Sequence, residues 1–343
     1  MPDPAPPNID GARGANRASE SASTPALEPD DLLQHPAVKA WSRLQPERLV
    51  PSRIETLKRR QKSAIYRLRG VGPEGSAVIA KRCLTSTALT ERTVYQQILP
   101  RLPLPALRFY GYVEDNAPGF QWLFMEDAGS GLYSPGLPGH CAAAVRWLAL
   151  LHTSTARLPL AATLPERGPR FYLEQLRLAR ENIIKSFSNP ALLPRDFEEL
   201  KTIQTQCDFL EQRWDQVEYF CHGVPPTVVH GDLKAKNFRV RSTRYEIVLL
   251  AFDWELAGWG VPATDLLKCP DLALYGNEAR KSWPQLTGDA VAKLAEVGKL
   301  FRALISIYWE SLALYDEWVE WPVVKVRVYR AALGDAIQSL GIA

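Results

Sequence analysis

The stretch from Thr227 to Asp265 constrains most what this chain can fold into. Its centre reads His230-Gly231-Asp232-Leu233-Lys234-Ala235-Lys236-Asn237, and after a short basic strand signal comes Leu249-Leu250-Ala251-Phe252-Asp253-Trp254-Glu255. Phosphoryl transfer needs one carboxylate to orient the attacking hydroxyl, and hard oxygen ligands to hold Mg²⁺ against the phosphates of a donor. An aspartate, an asparagine five residues on, and a second aspartate closing an apolar strand meet that demand. Asp232 can do the first task, and Asn237 and Asp253 the second.

Taken together, HGDLKAKN and FDWELAGWGVPATDLL resemble the catalytic and metal-binding loops of the aminoglycoside phosphotransferase family. Relatives of that family include the choline, homoserine and fructosamine kinases, all with a kinase-like fold. Read without the resemblance, His230-Gly231-Asp232 is a polar turn between two strands and Asp253 merely ends a strand. Two such loops in this order and spacing, with an N-terminal region to match, weigh against that reading. The resemblance implies an α+β, bilobal protein-kinase-like fold, with a small antiparallel-sheet N-lobe and a larger, mainly helical C-lobe. It also implies ATP or GTP as donor, Mg²⁺, and a small hydroxylated acceptor. The division expected is a disordered tail over residues 1–30, an N-lobe over 31–126 and a C-lobe over 127–343.

Composition agrees with a two-lobed enzyme, since 343 residues at 46% hydrophobic can build sizeable cores. The net charge is +3, and the first thirty residues hold five acidic and two basic side chains, leaving +6 on the rest. That charge is too mild to demand a polyanionic partner. The five cysteines lie far apart with no C-x-x-C pair, which predicts reduced thiols. No apolar run approaches membrane-spanning length and no signal-peptide pattern opens the chain, so the expectation is a soluble, cytoplasmic protein. The proline-rich residues 1–30 carry too little apolar surface to offset ordering entropy.

Seven basic residues lie between Arg53 and Arg69, ahead of and within the strand signal 64–68. A nucleic-acid surface would interleave aromatic platforms with that charge, and only Tyr66 is available, so no nucleic-acid partner is expected. The run reads either as a solvated β-edge or as phosphate steering. The kinase-like fold places its first hairpin here, and Ser63 enters the donor-binding set on that ground, although residues 59–63 contain no glycine. After the turn Gly70 to Gly75, Ala77-Val78-Ile79-Ala80-Lys81-Arg82 resembles the kinase strand whose lysine reaches the α- and β-phosphates. Glu91 opens an amphipathic helical pattern through Leu99, and in the family a glutamate here ties that lysine down. Two strand signals follow at 107–113 and 119–125. The end of the second, with Met125 and Glu126, resembles the hinge that meets the purine ring.

From His140 the pattern is helical over 141–152, 171–187 and 195–220, with further helices at 289–315 and 323–340. His152 reads as packing. The resemblance makes His230 a residue that fixes the catalytic loop, Lys234 a group that neutralises charge on the migrating phosphoryl, and Asp265 a brace from the following helix. Glu310, Asp316 and Glu317 lie among Trp309, Tyr315, Trp318 and Trp321, a mixture suited to a cationic acceptor such as an aminoglycoside or amino alcohol, and hence to antibiotic resistance. Amphipathic helices with Trp inside and Glu outside give the same pattern. Lys234 also suits an atypical protein kinase, but Asp265 follows Asp253 by twelve residues and no A-P-E follows, which leaves no activation segment. A catalytically inactive kinase-fold binding module is the third reading, disfavoured because Lys81, Asp232, Asn237 and Asp253 are all present.

Overall fold

The computed structural model describes residues 29–45, 50–159, 163–242 and 246–342. The tail expected over 1–30 lies outside the described residues except for its last two, which open the short helix α1 (Pro29–Gln34). The chain divides into two compact units, one running to Tyr95 and taking in Leu107–Ala128, the other made of Gln96–Ala106 and Gly129–Ala343. A short excursion after α3 (below) thus belongs to the second unit.

In the first unit, α2 (Pro36–Leu44) precedes the hairpin β1 (Arg53–Arg59) and β2 (Ser63–Arg69), then come β3 (Val78–Leu84), α3 (Thr85–Thr93), β4 (Phe109–Glu114) and β5 (Phe120–Glu126). All strands pair antiparallel, in the order β1-β2-β3-β5-β4. Strand side chains alternate between faces, and the register puts Ala80 opposite Phe124 and Lys81 opposite Leu123. Val78, Ala80, Trp122 and Phe124 therefore share one face, which α2 covers with Ala37, Val38 and Trp41. Trp41 meets Phe124 at 5.2 Å and Tyr110 at 5.7 Å between ring centroids. Lys81 is left on the opposite face, toward α3. The basic strand β1 is the edge of the sheet.

Glu91 does not open its helix. The helix begins at Thr85, so Glu91 lies in its later part, fully buried, and the chain continues as a π-turn over Val94–Ile98 and a 3₁₀ turn over Leu99–Arg101. The polar run Thr85-Ser86-Thr87 has weak helical periodicity and hides the true start.

The second unit contains α4 (Pro138–Thr155), β6 (Glu166–Arg167), α5 (Pro169–Ser186), α6 (Pro194–Glu211), α7 (Trp214–Cys221), β7 (Thr227–Val229), β8 (Phe238–Ser242), β9 (Ile247–Ala251), β10 (Gly258–Gly260), α8 (Ala263–Leu266), α9 (Leu272–Ala279), α10 (Gly288–Ser311) and α11 (Glu320–Leu340). The helix expected over 195–220 is two helices. Arg213 takes a non-helical conformation at φ −120°, ψ 21° and lays its guanidinium over Phe209 at 3.9 Å. Pro322, expected as a breaker, sits in the first turn of α11, where a missing N–H costs nothing.

The core of this unit is α10, whose Leu294, Val297, Leu300, Phe301, Leu304 and Ile307 recur at helical spacing and are buried. Its Gly298 lets it approach α8 so closely that a Cβ there would lie 2.0 Å from Ala263 O. A three-stranded sheet in the order β6-β10-β7 and the hairpin β8-β9 carry the loops that follow β7 and β9. None of the five cysteines forms a disulfide, and burial pushes the Cys207 and Cys221 thiols up to about 12. Among the described residues no helix is long and apolar enough to cross a membrane.

Candidate functional site

The loop from His230 to Asn237 leaves β7 and is held from below by one buried carboxylate. Asp265, fully buried in α8, accepts the backbone N–H of His230 at 2.7 Å on Oδ2 and that of Gly231 at 2.9 Å on Oδ1. His152 Nε2 is 3.2 Å from Asp265 Oδ2, and its Nδ1 is 2.9 Å from the Tyr275 hydroxyl. The turn needs a residue at φ +77°, and a Cβ at Gly231 would lie 2.6 Å from Leu256 O, so glycine is demanded twice over. The His230 ring is fixed at both nitrogens, Nε2 to Phe252 O at 3.2 Å and Nδ1 as acceptor from the Asp232 N–H at 3.4 Å, and it lies 4.5 Å from the Trp254 ring, tilted by 36°. Those bonds suit a neutral imidazole that shapes the loop.

Asp232 is thereby presented with a well-fixed carboxylate, its side chain 11% exposed. Lys234 Nζ lies 2.7 Å from Oδ1, and Asn237 Nδ2 donates to the Asp232 carbonyl at 2.9 Å and to Oδ2 at 3.2 Å. With its amide nitrogen committed to Asp232, Asn237 keeps Oδ1 without a hydrogen-bond donor among the described residues. Phe252 N–H donates to Asn237 O at 3.1 Å, tying the end of β9 to this loop. The next residue, Asp253, sits at φ 70°, ψ 57°, left-handed backbone that a non-glycine residue holds only where its surroundings impose it. An amide oxygen and a carboxylate, both hard donors, fit Mg²⁺ by chemistry.

In the first unit, Lys81 and Glu91 form a buried ion pair between β3 and α3. Ser63 opens β2 opposite Cys83, and its carbonyl accepts the Arg60 N–H at 2.8 Å. Met125 is buried at the end of β5, and Glu126 Oε2 accepts the Arg108 N–H at 3.0 Å.

Asp232 and Lys234 line a cavity of about 560 Å³, with Gly231 and Leu233. Its other walls are Arg167 from β6, Tyr172 from α5, Arg302 and Trp309 from α10, and Tyr329 from α11. Tyr172 stacks on Phe301 at 3.9 Å and 9°, and burial pushes its hydroxyl up to about 12, so it stays neutral. Glu310, Asp316 and Glu317 do not line this cavity. Glu310 pairs with Lys325 at 3.1 Å, while Asp316 and Glu317 are exposed in the turn after α10. One residue along a helix is a rotation of about 100°, so Trp309 faces the cavity and Glu310 faces α11.

Sequence reasoning missed Arg167, Tyr172 and Arg302 as cavity residues, whereas Trp309 stood in the aromatic cluster read as an acceptor site. Arg302 left a trace, as the one charged residue in the apolar run from Leu300 to Ile307. Arg167 left none beyond preceding Gly168-Pro169.

No curated protein matches the chain. Solved structures do. Wild-type aminoglycoside 2'-phosphotransferase-IIIa in its GDP complex shares 11% identity, with 85% of this chain and 97% of that one covered at a TM-score of 0.59. Choline kinase from Cryptosporidium parvum Iowa II shares 10% identity over 87% of this chain and 92% of its own, at 0.55. Ethanolamine kinase from Plasmodium vivax shares 12% over 80% and 82%, at 0.54. At such identities the likeness carries the fold, which is kinase-like. The sequence itself decides the family, because residues 56–300, a span that holds Lys81, the Asp232 loop and Asp253, match the phosphotransferase enzyme family, to which this chain belongs.

Proposed function

We propose that the protein is a small-molecule kinase that transfers the γ-phosphate of ATP or GTP to a hydroxyl of an acceptor bound in the cavity beside Asp232. The observation that carries this reading is the Asp232 carboxylate, fixed by Asn237 and Lys234 and opening on a cavity of about 560 Å³ with largely apolar walls. That volume suits a small molecule rather than a folded polypeptide.

The acceptor hydroxyl donates to Asp232, which orients it for attack. A bond forms from the acceptor oxygen to the γ-phosphorus, the bond from that phosphorus to the β,γ-bridging oxygen breaks, and the hydroxyl proton passes to Asp232 and then to solvent. Lys234 offsets charge on the phosphoryl in transit. Asn237 Oδ1 and the Asp253 carboxylate would hold Mg²⁺, which would supply charge neutralisation at the phosphates. Lys81, positioned by Glu91, holds the α- and β-phosphates. Ser63 belongs to the turn that meets the phosphates, and Met125 and Glu126 to the segment that meets the purine. The GDP complex of the aminoglycoside enzyme supports a nucleotide as donor.

The test is nucleotide consumption against a panel of hydroxylated metabolites, run with wild type and Asp232→Ala. The variant should lose on the order of 10²–10⁴ in kcat and keep its nucleotide affinity. Near-normal kcat in Asp232→Ala with any true acceptor would overturn the mechanism.

A further inference from the structure

From the charge around Asp232 we infer that the acceptor carries an anionic group, a carboxylate or a phosphate, held by Arg167 and Arg302. This inference rests on the kinase reading only for the name acceptor, since the charges belong to the cavity itself. Five cations line it, Arg167, Lys234, Lys268, Lys299 and Arg302, against three carboxylates, Asp232, Glu296 and Asp335. Two of those carboxylates are already neutralised within the wall, Asp232 by Lys234 at 2.7 Å and Glu296 by Lys299 at 2.6 Å. Arg167, Arg302 and Lys268 remain, and only the exposed Asp335 stands against them.

The two arginines are the informative ones. Arg167 donates to Glu166 O at 3.0 Å, lies over the Phe171 ring at 4.4 Å and forms no ion pair at contact distance with a carboxylate among the described residues, the Glu166 carboxylate acting on it only from further off. Its stem is wedged against β10, where a Cβ on Gly258 would lie 2.1 Å from Arg167 Cγ, so the side chain has little freedom to swing out to solvent. Burial pulls its pKa below the ordinary arginine value, a sign of a cation held without full compensation. Arg302 sits over Trp309 at 5.7 Å and likewise lacks a carboxylate partner among the described residues. A partly desolvated guanidinium without a counter-charge is costly, and its planar fork matches a carboxylate or phosphate in bidentate geometry. An ammonium-bearing acceptor would meet five cations and three carboxylates at this wall, two of them already paired. The apolar surface of Leu256, Ile305 and Val328 leaves room for an organic body between the charged group and the hydroxyl.

Four probes on one three-carbon skeleton separate the cases, namely glycerol 3-phosphate, glycerate, glycerol and 3-amino-1,2-propanediol. Each is titrated calorimetrically into the full chain saturated with Mg²⁺ and a non-hydrolysable ATP analogue, and each is offered as acceptor with ATP. One of the two anions should bind about tenfold or more tightly than glycerol or the amine, and which anion does so decides between phosphate and carboxylate. Arg302→Gln should remove that preference while nucleotide affinity stays within about twofold. Arg167→Gln should do the same, and because its stem is packed, Arg302→Gln with an unchanged thermal melt keeps the test valid if Arg167→Gln fails to fold. Equal or absent binding of all four probes, tighter binding of the amine, or an anion preference that survives in Arg302→Gln would overturn the inference. Anion binding without transfer from ATP to any acceptor would leave it standing and overturn the kinase reading, while transfer to the amine in preference would do the reverse.

Discussion

Replacing Asp265 with Asn isolates the brace beneath the Asp232 loop with almost no change of volume. The carboxylate serves the N–H groups of both His230 and Gly231, one on each oxygen, with His152 at 3.2 Å from Oδ2. An amide has one acceptor oxygen, so one of the two backbone N–H groups must face an NH₂ group instead. A hydrogen bond to a charged acceptor is worth about 1.5–3 kcal/mol, and stranding a buried donor costs about 1–3 kcal/mol. These overlap, and the loss should come to about 2–4 kcal/mol, concentrated in the loop that presents Asp232. Hydrogen exchange of the His230 and Gly231 amides should accelerate by on the order of 10²-fold, since about 1.4 kcal/mol is a factor of ten. Turnover should fall with it, because a carboxylate misplaced by about 1 Å can lose on the order of 10²-fold in rate. Nucleotide affinity at Lys81 should be little changed. Exchange rates for the two amides equal to wild type, with kcat retained, would refute the claim that Asp265 sets the loop.

Three further outcomes follow from the geometry. Asp253→Asn keeps a residue type that tolerates left-handed backbone but removes a charge from the proposed metal pair; nucleotide affinity measured with Mg²⁺ should drop toward the value without it, and an intact Mg²⁺ dependence would exclude Asp253 as a ligand. Gly231→Ala, at φ +77° and with its Cβ 2.6 Å from Leu256 O, should cost about 1–3 kcal/mol of backbone strain and lower kcat, which a urea titration and steady-state rates would register together. Glu55 is held at about 2, below its ordinary 4.5, by hydrogen bonds from Arg69 at 2.6 Å and Arg67 at 2.9 Å. Its folded value is the lower one, so its contribution is complete above about pH 4.5 and fades as pH falls toward 2. Unfolding of the first unit should show a loss of stability between those limits that Glu55→Gln lacks, and identical pH profiles for the two would discount the pairing.

The fold and the family were legible in the sequence because phosphoryl transfer dictates residue types at short, fixed separations. Asp232, Asn237 and Asp253 stand in two adjoining loops, and a local pattern therefore carries them. Lys81 and Glu91 were legible for a related reason, since β3 leads directly into α3 and the pair is only ten residues apart. Boundaries were less legible where no proline or glycine marks them. The break between α6 and α7 turns on the conformation of Arg213, whose guanidinium prefers the Phe209 ring, and nothing in the apolar periodicity registers that choice. Asp265 was legible as a brace only through the resemblance, because nothing local to a short helix shows that the loop above it offers two N–H groups.

The cavity wall was not legible, and the reason is geometric. It draws Arg167 from β6, Arg302 from α10 and Tyr329 from α11, segments that only tertiary packing brings together. The cluster that did stand out, Glu310 with Asp316 and Glu317 among tryptophans, mixed residues from several faces of a helix and the turn beyond it. Trp309 belongs to the cavity, but Glu310, one step further around α10, spends its charge on Lys325. Counting the carboxylates of that cluster pointed to a cationic acceptor, whereas the cavity's own lining holds five cations against three carboxylates, and three against one once its internal pairs are set aside. What an incoming molecule meets is the residual charge after the wall has satisfied itself, and here that is Arg167, Arg302 and Lys268 against the exposed Asp335. The same arithmetic assigns Asp232 its place. Its charge is partly offset by Lys234 at 2.7 Å, so the carboxylate does not make the cavity attractive to cations. An anionic acceptor can then be drawn in by Arg167 and Arg302 and present its hydroxyl to Asp232 without meeting an uncompensated negative charge.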